Sequence, residues 1–112
     1  MNKKIKIMLA QLNPTVGDLE KNSKIVMDTY DEASKKKVDV LAFPEMFLSG
    51  YQLQDLVLKK AFQEDVKKFI KLLAKKCVKS TYLFLGAPIL EKEKLFNAYL
   101  LINKGVTKVI SK

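Results

Sequence analysis

Two long stretches, residues 19–33 and 62–77, repeat apolar side chains at three- and four-residue steps, and short apolar runs flank each of them. In the first, Leu19, Ser23, Val26, Tyr30 and Ala33 share one helical face and leave Lys21, Lys24, Asp28 and Asp31 to water. In the second, Phe62, Val66, Phe69, Ile70, Leu73 and Cys77 do the same. Ahead of them Ile5, Ile7 and Leu9 alternate with Lys4, Lys6 and Met8, and the run becomes continuously apolar through Ala10, which predicts a strand entering a buried sheet. Between the helices, residues 38–43 form a second short strand that Pro44 ends. Residues 81–87, 96–102 and 106–110 predict three more strands, the last two joined by a compact hairpin turn at Asn103-Lys104-Gly105. Asn13-Pro14 and Gly17 make a loop, Asp18 caps the first helix, and residues 55–61 suggest a short helical turn. Strand, helix, strand, helix, strand and then a meander is the order of an α/β layer, with helices packed on a largely buried sheet. No repeat or linker divides the 112 residues, so one domain is expected.

The net charge of +9 invites an anionic partner, but all 21 basic residues are lysine. A site for nucleic acid would be expected to use the planar fork of arginine, and the lysines are scattered, so a solvated surface is the expected reading. One cysteine and no histidine exclude an internal disulfide, a cysteine-based zinc cluster, and the usual metal ligand and general base. The start of the chain lacks the apolar core of a signal peptide, and no apolar run approaches the roughly 20 residues of a membrane span, which predicts a cytoplasmic protein without a membrane partner. Lys112 closes the chain directly after a strand, with no further element over the core. That predicts a domain truncated at its carboxyl end.

The stretch with chemical content is Phe43-Pro44-Glu45-Met46-Phe47-Leu48-Ser49-Gly50-Tyr51. It sets a carboxylate just past a strand, at the sheet end where open α/β folds place their sites. If the apolar neighbours bury Glu45, its pKa should rise and it becomes a stronger base. On spacing alone, a partly exposed loop residue paired with a lysine is the better fit. Cys77 lies on the apolar face of the second helix and reads as an inert core thiol. Asn97 opens an apolar strand and is expected to satisfy backbone groups.

Residues 10–19, reading Ala-Gln-Leu-Asn-Pro-Thr-Val-Gly-Asp-Leu, followed by Asn22, resemble the opening of the amidase domain of glutamine-dependent NAD synthetases. Phe43-Pro44-Glu45 with Leu48-Ser49-Gly50-Tyr51 resembles the glutamate motif of the nitrilase superfamily, and Asp55-Leu56-Val57-Leu58 is similar to the synthetase branch in particular. Gly86-Ala87-Pro88, then Leu95-Phe96-Asn97-Ala98 and Asn103-Lys104-Gly105, fall where that family has its next strand and hairpin. Each motif is weak, but the ordered set, covering nearly the whole chain, is specific.

The resemblance implies an incomplete nitrilase-like α-β-β-α sandwich, with residues 1–112 as the amino-terminal portion of a carbon–nitrogen hydrolase domain. It implies a Glu-Lys-Cys triad in which Glu45 is the general base and Lys112 stabilises the anionic tetrahedral intermediate. Read from its own place after the loop, Tyr51 either lines the substrate pocket or, as a half-buried aromatic, seals the loop. The Leu-Pro-x-Tyr context that follows the family's lysine is absent after Lys112, and the nucleophilic cysteine lies outside this sequence. No cofactor is expected here, since ATP would belong to a separate synthetase domain. The expected function is part of a glutaminase that supplies ammonia for NAD synthesis, inactive alone and acting on glutamine only when a second polypeptide completes it. The alternatives are a non-catalytic remnant or interaction module that self-associates through exposed sheet edges, a piece of another nitrilase-superfamily amidase, and a lysine-rich nucleic-acid binder.

Overall fold

A computed structural model describes residues 4–50, 60–92 and 94–111. The elements in chain order are β1 (Ile7–Leu9), α1 (Leu19–Lys35), β2 (Val40–Ala42), α2 (Lys60–Lys76), β3 (Tyr82–Glu91), β4 (Lys94–Asn103) and β5 (Val106–Ser111). They build one five-stranded sheet in the order β1-β2-β3-β4-β5. The first three strands are parallel, as strands joined through helices must be, and β3-β4-β5 is an antiparallel meander.

Both helices form on the faces their periodicity marks. Asp18 caps α1 by accepting a hydrogen bond from the Lys21 backbone N–H at 3.0 Å. Val26, Tyr30 and Ala33 of α1 and Val66, Ile70 and Leu73 of α2 join Leu41, Leu83, Leu85, Ala98, Leu100 and Ile102 of the sheet in one core. The suggested turn at residues 55–61 lies mostly outside the described residues, and Ala61 is already in α2.

The hairpin between β4 and β5 has a two-residue loop, Lys104-Gly105, with φ of 49° and 81°. Positive φ at both positions suits the right-handed twist of the flanking strands, and Gly105 takes it without a steric cost. Strand β3 runs past the expected residue 87 to Glu91. Pro88 is tolerated there because pairing with β2 ends at Phe84, so the missing N–H falls on an unpaired edge.

The expectation of a largely buried sheet is corrected: among the described residues the helices cover one face only. Side chains alternate along each strand, so Ile7 and Leu9 of β1, Val40 and Ala42 of β2, Tyr82 and Phe84 of β3, and Tyr99 and Leu101 of β4 line the other face. Ile7 is 60% and Leu9 68% exposed, whereas Leu41 and Leu85 are fully buried. Strand β1 is therefore an apolar edge strand, with only Met8 turned toward the core.

Candidate functional site

Strand β2 ends at Ala42, and the chain turns at Phe43-Pro44 so that Glu45 stands at the carboxyl end of the parallel strands. The turn is pinned to the neighbouring strands. The Phe43 N–H donates to the Phe84 carbonyl at 2.9 Å, and the Leu48 N–H donates to that of Gly86 at 3.1 Å. Phe43, Phe47 and Leu48 are buried, with the two rings 4.7 Å apart.

Gly86 is the floor under this loop. A Cβ at that position would collide with the Met46 backbone nitrogen and lie 2.7 Å from Glu45 Cα, closer than real Cβ contacts come. Only glycine lets the Glu45–Met46 peptide rest on β3. Met46 itself takes a left-handed φ of 56°, which reverses the chain immediately after the carboxylate.

Tyr99 holds the same turn from β4. Its hydroxyl donates to the Phe43 carbonyl at 2.8 Å, and its ring stacks on Phe84 with centroids 5.9 Å apart. Burial pushes the Tyr99 hydroxyl pKa above its ordinary value. Two residues earlier on the same face, Asn97 Nδ2 donates to Glu45 Oε2 at 3.2 Å. Asn97, expected to serve backbone groups, thus reaches the carboxylate instead. The signal was its place on the strand, out of phase with the buried row Ala98, Leu100 and Ile102.

The far wall comes from β5 through a β-bulge. Leu100 pairs with Val109 but Tyr99 pairs with Ser111, so Ile110 is an extra residue. In unbroken register Ser111 would stand opposite Ala98, on the helix-covered face; the bulge turns it to the side of Tyr99. Phe43, Pro44, Glu45, Asn97, Tyr99 and Ser111 consequently line one open cleft of about 370 Å³.

Glu45 is exposed, which corrects the burial considered for it from its apolar neighbours. Phe43, Phe47 and Leu48 are buried in the core, while the carboxylate lines the cleft. It accepts its hydrogen bond from Asn97 rather than from a lysine. Lys112, which follows Ser111, and Tyr51, which follows the loop, lie outside the described residues.

A second set of contacts locks the loop from behind. Asn22, fully buried in α1, donates to the carbonyls of Leu48 at 3.0 Å and Thr15 at 2.7 Å, and accepts from the Thr15 N–H at 2.7 Å. Gly17 N–H donates to the Ser49 carbonyl at 2.8 Å. Gly50, at φ +79°, approaches Val16 so closely that a Cβ would sit 2.7 Å from its Cα. The two motif-rich loops of the sequence are therefore one packed unit, and Asn22 is its tie.

Cys77 is remote from the cleft. It is 1% exposed just past the end of α2, and its carbonyl accepts from Gly105 N–H in the β4–β5 turn, at the amino end of the sheet. Burial, assisted by the negative charge of Asp31, pushes its thiol up to about 12. Such a thiol is neither placed nor ionised for attack. Among the described residues no group of three His, Cys, Asp or Glu side chains could hold a metal ion. No helix among them is long and apolar enough to cross a membrane.

The cleft thus offers a solvent-accessible carboxylate with one oxygen held by an amide, which is the equipment of a proton acceptor. Comparison with known proteins gives it a context. Residues 6–111 match the carbon-nitrogen hydrolase family. The glutamine-dependent NAD(+) synthetase of Rhodobacter capsulatus is 40% identical over 105 residues, which is 94% of this chain and 19% of the relative. The chain thus spans about a fifth of that relative's length. The crystal structure of a glutamine-dependent NAD(+) synthetase from Cytophaga hutchinsonii superimposes with a TM-score of 0.86 at 30% identity, covering 93% of this chain and 18% of that one. An amidase from Nesterenkonia sp. shares the fold, with a TM-score of 0.76 at 20% identity over 96% of this chain and 41% of its own.

Proposed function

This chain belongs to the carbon–nitrogen hydrolase family, and from that premise we propose that it is the amino-terminal part of a glutaminase domain that releases ammonia for NAD synthesis. The observation that carries the reading is the Glu45 carboxylate at the carboxyl end of β2, in a cleft that also receives the end of β5. In this proposal Glu45 is the general base. Lys112 stabilises the oxyanion formed when the amide carbon of glutamine is attacked, and Tyr51 lines the substrate pocket. The attacking cysteine comes from polypeptide outside these 112 residues, and so does the ATP-dependent amidation, so the chain itself binds no cofactor. The setting is the cytoplasm. The uncovered sheet face, with Ile7, Leu9 and Tyr82 exposed, supports the view that a second layer completes the domain.

The purified chain is expected to release no ammonia from glutamine. When a polypeptide carrying the rest of such a domain is supplied, glutamine hydrolysis should appear and should fall about a hundred- to ten-thousand-fold with Glu45→Gln. Turnover by the chain alone that survives Cys77→Ala but disappears with Glu45→Gln would overturn the two-part reading. Assembled activity indifferent to Glu45→Gln would overturn the assignment of the base.

The same open face supports a second reading, a non-catalytic module that self-associates. Size-exclusion chromatography separates the two. A stable oligomer that the remaining polypeptide does not disperse favours the module.

A further inference from the structure

We propose that Asn97 is the positioning residue of the Glu45 carboxylate, holding Oε2 so that Oε1 is the oxygen that takes the proton; this rests on the reading of Glu45 as a base. The loop backbone is already fixed by Gly86 beneath it and by the Tyr99 hydroxyl on Phe43. What remains free is the side chain, which has several rotatable bonds and stands in an open cleft. Asn97 Nδ2, 3.2 Å from Oε2, is a contact that limits it.

The chemistry of the partner matters as much as its place. A lysine here would favour the ionised carboxylate and weaken its hold on a proton. A carboxamide is neutral. It donates from its NH2 to Oε2 of the carboxylate and, once Oε1 has taken the proton, still donates to Oε2, which is then the carbonyl oxygen of the acid. Asn97 can therefore keep a hydrogen bond to Glu45 in both states that a general base must visit. The Ile110 bulge adds to the same end, because it brings Ser111 rather than Ile110 opposite Tyr99 and keeps the wall beside Asn97 and Glu45 small and polar.

The test reads the contact without turnover. In the complete 112-residue chain, the side-chain amide protons of Asn97 are followed by heteronuclear NMR through the carboxylate titration range, about pH 3 to pH 7. They should move along a single curve that Glu45→Gln abolishes, while the buried Asn22 amide keeps its position and reports an intact fold. Asn97 signals that stay flat in the unsubstituted chain, or titrate unchanged in the Glu45→Gln variant, overturn the proposal. In the assembled glutaminase, Asn97→Ala should lower kcat about tenfold with KM nearly unchanged, the size of one lost hydrogen bond, and Asn97→Ser should recover part of it. An unchanged kcat in Asn97→Ala likewise overturns it. The NMR outcome is independent of any amide hydrolysis, so failure of the contact and failure of the glutaminase reading are told apart.

Discussion

The two faces of the sheet are built from similar residues and meet opposite fates. Leu41, Leu85 and Leu100 are sealed beneath α1 and α2, while Ile7, Leu9 and Tyr82 stand exposed on the opposite face of the same sheet. Burial is thus a property of what lies opposite a strand and not of the strand's own composition. The polar groups of the cleft follow the division: Glu45, Asn97, Tyr99 and Ser111 gather on the uncovered side, at the rim where β2 ends. A carboxylate on the helix side would have been desolvated; on this side it stays wet and available.

The sharpest way to break the contrast is to delete matched side chains. Leu41→Ala should cost about 2–5 kcal/mol of unfolding free energy, through lost transfer energy and a cavity under the helices. Leu9→Ala, two-thirds exposed, should cost within about 0.5 kcal/mol. Urea denaturation of both variants checks this, and equal losses would mean that the open face is covered in solution. Next in size is Gly86→Val, whose Cβ must displace the Glu45–Met46 peptide. A loss of about 1–3 kcal/mol is expected, together with loss of the Asn97 response to pH.

The covered side also makes an alkaline prediction. Cys77 has its folded value raised to about 12 from an ordinary 9.0, so above pH 9.0 the unfolded chain has lost a proton that the folded chain keeps. Stability should therefore be complete below that point and decline as pH rises toward the folded value. Cys77→Ala should flatten the decline in a series of melts, although raised values at Tyr30 and Tyr99 leave a residual slope in the same direction. The smallest effect belongs to the open face. Leu9→Lys should hardly change stability and should reduce self-association, as sedimentation velocity would show.

Much of this was legible along the chain. Helical spacing marked Val26, Tyr30, Val66 and Leu73 as core, because a 3.6-residue period admits one buried face. Asp18 as a cap and Lys104-Gly105 as a turn followed from local backbone chemistry. Glu45 at a strand end was legible too, from Pro44 stopping an apolar run. Less legible were the facts that depend on register. Nothing local says that Ile110 is a bulged residue, that Asn97 meets a carboxylate 52 positions away, or that Gly86 underlies Glu45. Ile5, Ile7 and Leu9 misled for the complementary reason: an apolar row announces that a face seeks cover and is silent on whether the cover is present.

By itself, then, the sequence determined the elements, their order, the helix-facing core and the one carboxylate worth watching, since each depends on residues a few positions apart. The tertiary structure alone decided which face stays open, which side chains gather around that carboxylate, and that the lone thiol is stranded at the sheet's other end. Those outcomes depend on strand pairing, and a shift of one residue in pairing exchanges every side chain between core and solvent.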